Sequence, residues 1–216
     1  MEAIERALIT GGAGELATAI HSELKQLGME VLAPGRQELD VADENSVAAY
    51  ASGLEKIDLL ICNAGCADDR LLARMPEASW DHVLEVNLTG AARCARQLGK
   101  RLKKGGSLIF IGSFSAKRPP IGQVAYAAAK AGLEGLTKSL AQEWGRRDIR
   151  VNLVMPGFIE TKFTKDVTAE RLDQVKHLNH LGRLNKPEDL ARFVSFLHGS
   201  MPNTSGQEFN LDSRIF

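Results

Sequence analysis

The chain has 216 residues, of which 44% are hydrophobic and 25% charged, and its 27 basic and 27 acidic side chains leave no formal net charge. That length suits one domain with a sizeable core. The balance gives no basic excess for nucleic acid and no acidic tail, and no apolar run approaches the length that spans a bilayer. The cysteines, Cys62, Cys66 and Cys94, form no ligand cluster, and the histidines are scattered. Free thiols in a cytoplasmic protein without a metal site are therefore expected. The charged start runs straight into a short apolar stretch and lacks the shape of a signal peptide.

Ala7-Leu8-Ile9 is a short apolar run that predicts a buried strand. Thr10-Gly11-Gly12-Ala13-Gly14 follows at once, and residues 15–27 carry helical periodicity through Leu16, Ala19, Ile20, Leu24 and Leu27. Strand, glycine turn and helix give meaning to Gly12-x-Gly14-x-x-Ala17 as a dinucleotide-binding pattern. The glycines let backbone N–H groups approach a pyrophosphate, whose charge the helix N-terminus favours. Glu30 to Ala33 predict the second strand, followed by Pro34-Gly35-Arg36. An acidic residue after this strand would bind the ribose 2′-hydroxyl of NAD; Arg36 instead suits the 2′-phosphate of NADP.

Asp40-Val41-Ala42-Asp43 comes very soon after, so a helix and third strand are expected in compressed form within residues 36–41, with Asp43 capping the next helix. Residues 57–62 read as a strand buried on both faces and end in Asn63-Ala64-Gly65. Residues 68–75 are expected over a pocket edge. Residues 80–102 predict one long helix containing Asn87, a residue that competes with the backbone in mid-helix. Gly105-Gly106 breaks it, and residues 107–111 form another strand that closes in Gly112-Ser113. Ser113 therefore stands past a strand's C-terminal end, where open α/β sheets place ligands. Residues 149–154 are taken as the sixth strand, ended by Met155-Pro156-Gly157. Residues 158–181 predict a lid of short helices. A last helix opens at Lys186-Pro187-Glu188-Asp189, and residues 206–211 predict the final strand. Repeated strand–helix units imply an α/β Rossmann fold, a doubly wound parallel sheet with helices on both faces, in one domain over residues 1–216.

Within the Ala-rich helix that follows Pro119-Pro120, Tyr126 and Lys130 lie four residues apart and share one face. A tyrosine has a free pKa of about 10. An ammonium at roughly 4 Å, with an effective dielectric near 20, is worth about 4 kcal/mol, or about three decades in the ionisation constant. The pair is therefore expected to be a proton donor tuned toward neutrality.

Taken together, Thr10-Gly11-Gly12-Ala13-Gly14, Asp40-Val41, Asn63-Ala64-Gly65, Asn87, Ser113, Tyr126-x-x-x-Lys130 and Pro156-Gly157 resemble the short-chain dehydrogenase/reductases, in that family's order along nearly the whole chain. Within the family the chain is most similar to the bacterial 3-oxoacyl-[acyl-carrier-protein] reductases, through residues 68–75, Tyr126 to Leu133, Pro156 to Thr161 and Gly182-Arg183-Leu184. The resemblance implies that Tyr126 donates a proton to a substrate carbonyl as hydride arrives from the nicotinamide. Lys130 would lower the Tyr126 pKa and bind the nicotinamide ribose, Ser113 would polarise the carbonyl, and Asn87 would position a water. Gly11, Gly12, Gly14, Glu15 and Leu16 would hold the pyrophosphate, and Asp40 and Val41 would bracket the adenine. Asn63, Ala64 and Gly65 would support the adenosine side, while Pro156, Gly157, Ile159 and Thr161 would close on the nicotinamide.

The resemblance further implies homo-oligomers, tetramers or dimers, pairing through the helices of Asn87 and Tyr126, and a carrier protein docked through Lys104 and Arg147 near the active-site mouth. The chain departs from the family at Glu15 and Ala17, where its glycine pattern has Gly, and at Cys62, where it has Asn. It departs again at Asp212-Ser213-Arg214, where Gly-Gly is usual, and in the shortened second helix and third strand. The reading is an NADP-dependent reductase of 3-oxoacyl thioesters, with NAD(H) left open. The alternatives are a family member acting on a sugar, polyol or steroid-like ketone, an epimerase, and a non-catalytic cofactor-binding or interaction protein.

Overall fold

The strands alternate apolar side chains toward two faces, so each strand feeds two cores. In the computed structural model, which describes residues 4–161, 164 and 167–214, six strands form one parallel sheet in the order β2-β1-β3-β4-β5-β6. They are β1 (Arg6–Ile9), β2 (Glu30–Leu32), β3 (Ile57–Cys62), β4 (Leu102–Ile111), β5 (Arg150–Met155) and β6 (Glu208–Asn210). Ala7, Ile9, Leu59, Ile61, Ile109 and Ile111 face one way, under α1 (Glu15–Gln26) and α7 (Pro187–Ser200). Leu8, Leu60, Leu108, Phe110, Val151 and Leu153 face the other way, under α2 (Glu44–Gly53), α4 (Gly90–Leu98) and α5 (Val124–Gly145). The architecture is the expected single-domain α/β Rossmann fold. Strand order reverses between β1 and β3, and at such a switch point the loops diverge and leave a crevice at the strands' C-terminal ends.

Three expectations change. No third strand forms within residues 36–41, so residues 149–154 supply the fifth strand, beside β4, and β2 is left as a short edge. The turn after β2 holds itself instead: Leu39 N–H donates to Gly35 O at 3.0 Å, Ala42 N–H to Asp40 Oδ1 at 3.0 Å, and Asp40 N–H to Ser46 Oγ at 3.0 Å. The long helix around Asn87 is divided into α3 (Glu77–Leu84), a π-helical stretch Glu85–Thr89, and α4. The strand after it begins at Leu102, ahead of the glycine pair that was expected to precede it. The segment after β5 contributes α6 (Ala169–Leu178), matching the expected short helices, although Lys162, Phe163, Lys165 and Asp166 lie outside the described residues. Among the described residues no helix is long and apolar enough to cross a membrane.

Candidate active site

The glycine turn is set by close packing. Gly11 has a φ of 70°, a left-handed conformation that favours glycine. A Cβ on Gly12 would meet Ala33 O at 1.9 Å, so this turn seats on the end of β2 only without a side chain. Gly12 thus packs against β2 and is absent from the cavity lining, whereas Gly11, Gly14, Glu15 and Leu16 all line it. Ala17 is fully buried against the sheet, which gives the helix its close approach. Thr10 ties this turn to the next: its buried hydroxyl accepts from Asn63 N–H and Ala64 N–H, both at 3.1 Å, and its carbonyl accepts from Asn63 Nδ2 at 3.1 Å. This makes Asn63 a clamp between β1 and β3.

Gly65 sits against the catalytic candidates. A Cβ there would come within 2.9 Å of Asn87 Oδ1 and 3.7 Å of Lys130 Nζ. The π-helical stretch turns Asn87 inward, 1% exposed, and its Nδ2 donates to Cys66 O at 2.7 Å and Val83 O at 2.8 Å. Its Oδ1 is buried without a hydrogen-bond partner among the described residues. Buried acceptors are rarely left so, and π-bulges are frequent at functional positions. Lys130 Nζ donates to Ile111 O at 2.9 Å, which leaves two of its three protons for other partners.

Tyr126 and Lys130 do share one face of α5, with Nζ 5.6 Å from the ring centroid. Ser113 hydrogen-bonds Tyr126, and its Oγ also accepts from Ser115 N–H at 3.1 Å, which fixes the hydroxyl at the strand end. Contrary to the electrostatic expectation, Tyr126 is not lowered toward neutrality. Burial pushes it up to about 12; the Ser113 hydrogen bond lowers it, and Asp69 and Cys66 raise it. Burial also pulls Lys130 down to about 8 against the opposing pull of Cys66 and Cys62. Desolvation is the largest influence on both groups, and the Lys130 ammonium is engaged with the Ile111 carbonyl. Tyr126 is thus a protonated donor at neutral pH.

These groups open on a cavity of about 760 Å³ at the C-terminal ends of the strands. It gathers Arg36, Asp40, Val41, Asn63, Ala64, Gly65, Ser113, Tyr126, Lys130, Pro156, Gly157, Ile159 and Thr161. Asn87 lies just behind Gly65, outside the lining. Arg36 is 74% exposed and paired with Asp40 Oδ2 at 3.0 Å. Burial alone would raise Asp40, but the Ala42 N–H and Arg36 outweigh it and hold the carboxyl below its ordinary value. Lys104 and Arg147 are not at the cavity mouth. Both lie by the N-terminal ends of β4 and β5, where Gly105 N–H donates to Asp148 O at 2.8 Å. Arg147 is further engaged with Gly99 O at 3.2 Å and with the Trp144 ring. A parallel sheet puts its two ends on opposite sides of the molecule, so neither cation lines the cavity as expected.

A family model described as enoyl-(acyl carrier protein) reductase matches residues 3–213. A 3-oxoacyl-[acyl-carrier-protein] reductase from Vibrio cholerae is 34% identical over 215 residues, covering 88% of each chain. One from Aquifex aeolicus is 35% identical, covering 97% of this chain and 86% of its own. The chain is a short-chain dehydrogenase/reductase. Among solved structures, a short-chain dehydrogenase/reductase from Serratia marcescens superposes with a TM-score of 0.86 at 29% identity, covering 97% of this chain and 96% of its own. A chain from Beutenbergia cavernae described as an NAD(P)-dependent gluconate 5-dehydrogenase, with NADP bound, gives a TM-score of 0.90 at 27% identity, covering 98% and 96%.

Members of this family bind NAD(P), and the cavity of this short-chain dehydrogenase/reductase fits such a group. A Cβ on Gly14 would meet only Gly11 O, at 3.4 Å, so packing within the protein does not require glycine there. What its absence leaves open is space at the N-terminus of α1, where a pyrophosphate is favoured. The unpaired Asn87 Oδ1 and the spare Lys130 protons lie at the opposite end. Several lining residues were given no role from sequence: Phe114 and Ser115 after Ser113, Gln123, and Arg214, noted only as a departure from the family pattern. Gln123 Nε2 donates to Asp69 Oδ2 at 2.8 Å and its Oε1 accepts from Ser115 Oγ at 2.8 Å, so residue 69, expected over a pocket edge, is tied to the start of α5. Gln123 carries no signal beyond its place in a loop.

Proposed function

We propose that this short-chain dehydrogenase/reductase reduces the ketone of 3-oxoacyl thioesters to a secondary alcohol with NADPH. The observation that carries the reading is the protonated, half-buried Tyr126 held by Ser113 beside Lys130 at the head of the cavity. A ketone oxygen that gains negative charge as the carbon is reduced needs a fixed proton donor and a second hydrogen-bond donor. Tyr126 Oη and Ser113 Oγ supply both. A bound reduced nicotinamide supplies the hydride. Tyr126 gives its proton to the carbonyl oxygen, and the phenolate left behind is stabilised by Lys130, whose ammonium is acidic enough to return a proton near neutrality. The unpaired Asn87 Oδ1 suits a water that links Lys130 to solvent. Gly11, Gly14, Glu15 and Leu16 would hold the pyrophosphate, and Asp40, Val41 and Asn63 would hold the adenosine end.

The NADP preference rests on Arg36. Its pair with Asp40 is largely solvent-exposed, and such pairs are worth about 0–1 kcal/mol. A dianionic 2′-phosphate can therefore draw the guanidinium away. The thioester substrate is supported by the curated relatives, named as 3-oxoacyl reductases. The test is NADPH consumption with an acetoacetyl thioester, beside NADH. Turnover that prefers NADPH supports the reading. Turnover of simple ketones or sugars alone moves the substrate to the broader family, and cofactor binding without turnover on any carbonyl refutes the assignment.

A further inference from the structure

The family's usual Gly-Gly falls within Asp212-Ser213-Arg214 here, and the side chain at 214 turns into the cavity. Its guanidinium lies over the ring of Phe114, with Cζ 3.7 Å from the centroid, directly after the catalytic candidate Ser113. Arg214 Nε donates to Asp212 Oδ2 at 2.8 Å, and Nη2 donates to the same oxygen. Asp212 is otherwise satisfied: Arg214 N–H gives to Oδ1 at 2.8 Å and Phe158 N–H to Oδ2 at 3.2 Å. The side chains of Arg214 and Asp212 are 10% and 3% exposed. Removing two charges from water is costly unless the pair has a purpose or excellent geometry. Asp212 also fills the space beside Gly157, where a Cβ would come within 2.5 Å of its Oδ2.

Among the described residues Nη1 has no acceptor. Stacking on Phe114 holds the guanidinium plane, so the Nη1 protons have a set direction in that plane rather than a mobile one. Asp212 already neutralises the charge. A second carboxylate or a phosphate brought to Nη1 would compete with Asp212 in a water-poor site, whereas a neutral carbonyl oxygen would only complete the donor set. We propose that Arg214 is a specificity residue that donates from Nη1 to a second carbonyl oxygen of the substrate, the thioester carbonyl two carbons from the ketone held by Ser113 and Tyr126. This rests on the 3-oxoacyl reading and deepens it: the site selects a 1,3-dicarbonyl over a ketone that lacks the second oxygen.

The experiment compares kcat/KM for an acetoacetyl thioester with that for a simple methyl ketone of similar length, in the wild type, in Asp212→Asn/Arg214→Gln and in Arg214→Lys. The double variant leaves no unpaired buried charge, and NADPH titration and thermal unfolding show whether each variant is folded. The expected result is a wild-type preference for the dicarbonyl that falls about tenfold to a hundredfold in the double variant, the size of a lost charged hydrogen bond. The loss should appear in KM and kcat together for the dicarbonyl, with NADPH affinity unchanged, and Arg214→Lys should restore part of it. Should the wild type reduce only the dicarbonyl, the same loss on that substrate is the readout. A preference within about twofold of wild type in both variants, or a wild type with no preference, overturns the assignment of Arg214 alone. A wild type that binds NADPH yet reduces no 3-oxoacyl thioester overturns the proposed function and this inference together.

Discussion

Replacing Lys130 by Met should make the protein more stable and inactive. Burial lowers Lys130 from 10.5 to about 8. The unfolded chain therefore binds the proton more tightly, and the folded state carries a destabilisation that is full below the folded pKa and relieved as pH rises through the unfolded one. Those values differ by about 2.5 decades, or about 3 kcal/mol at pH 7 at about 1.4 kcal/mol per decade. Methionine fills a similar volume without charge, but the bond from Nζ to Ile111 O is lost, which returns about 1 kcal/mol. The net gain is about 2 kcal/mol, or about 4–8 °C in Tm for a chain of this size. Urea unfolding of both proteins from pH 7 to pH 10 tests it. The advantage of the variant should be greatest at pH 7 and shrink or reverse by pH 10, where Tyr126 contributes equally to both. A variant no more stable at pH 7, or a difference flat across that range, would refute the claim that burial dominates this site. Turnover should be lost at every pH.

Tyr126→Phe should lower turnover by at least about a hundredfold while NADPH titration stays near wild type, because the ring still fills its place and only the donor is gone; substantial activity in that variant removes the proton-donor role. Arg36→Ala should weaken NADPH more than NADH, read from the two dissociation constants, and equal losses would mean that Arg36 does not meet the phosphate. His198 is buried with Nδ1 2.6 Å from Ser107 Oγ, and burial lowers its pKa despite Glu5. The unfolded chain then binds the extra proton first, so stability should be fully present above about pH 6.5 and fall as the solution is acidified. His198→Gln should flatten that loss in urea midpoints taken between pH 5 and pH 7; an unchanged slope would assign the acid sensitivity elsewhere.

The sheet was legible because it is written twice, in the short apolar runs of the strands and in the punctuation between them. Ile57–Cys62 reads as an apolar run, and its faces separate cleanly into the two cores. The chemistry was legible where local spacing fixes geometry, as for Tyr126 and Lys130 on one helical face or Ser113 at a strand end. What sequence could not give was the sign of the balance between burial and attraction. The pair was expected to lower Tyr126, and only the desolvation that the fold imposes on both groups shows why it does not. The π-helical stretch was hidden for a related reason: the helical period continues through Asn87, and the extra residue is registered only by where the amide must point. Arg214 was visible as a departure, but its direction into the cavity depends on its pairing with Asp212 and on Phe114, which lies far from it along the chain and beside Ser113.

The missing third strand bears on whether the adenosine side can function at all. A strand there would pair β2 and give the adenine a floor fixed by a ladder. Here the floor is a turn that makes its own bonds and is pinned from below: Arg93 Nη1 donates to Val41 O at 2.6 Å while its Nη2 pairs with Glu85 at 2.6 Å. Gly12 N–H donates to Pro34 O at 2.9 Å, which joins that turn to the glycine turn that would hold the pyrophosphate. Asp40, Val41 and the phosphate turn are therefore one connected unit without the strand, and Val41 is buried at its base. The short β2 edge presents few unpaired backbone groups, so losing its neighbour need not create a site for association with another chain. The deletion removes sheet, but the elements that would meet the cofactor remain fixed to one another, with Arg36 on the exposed rim, where a ligand phosphate can reach it.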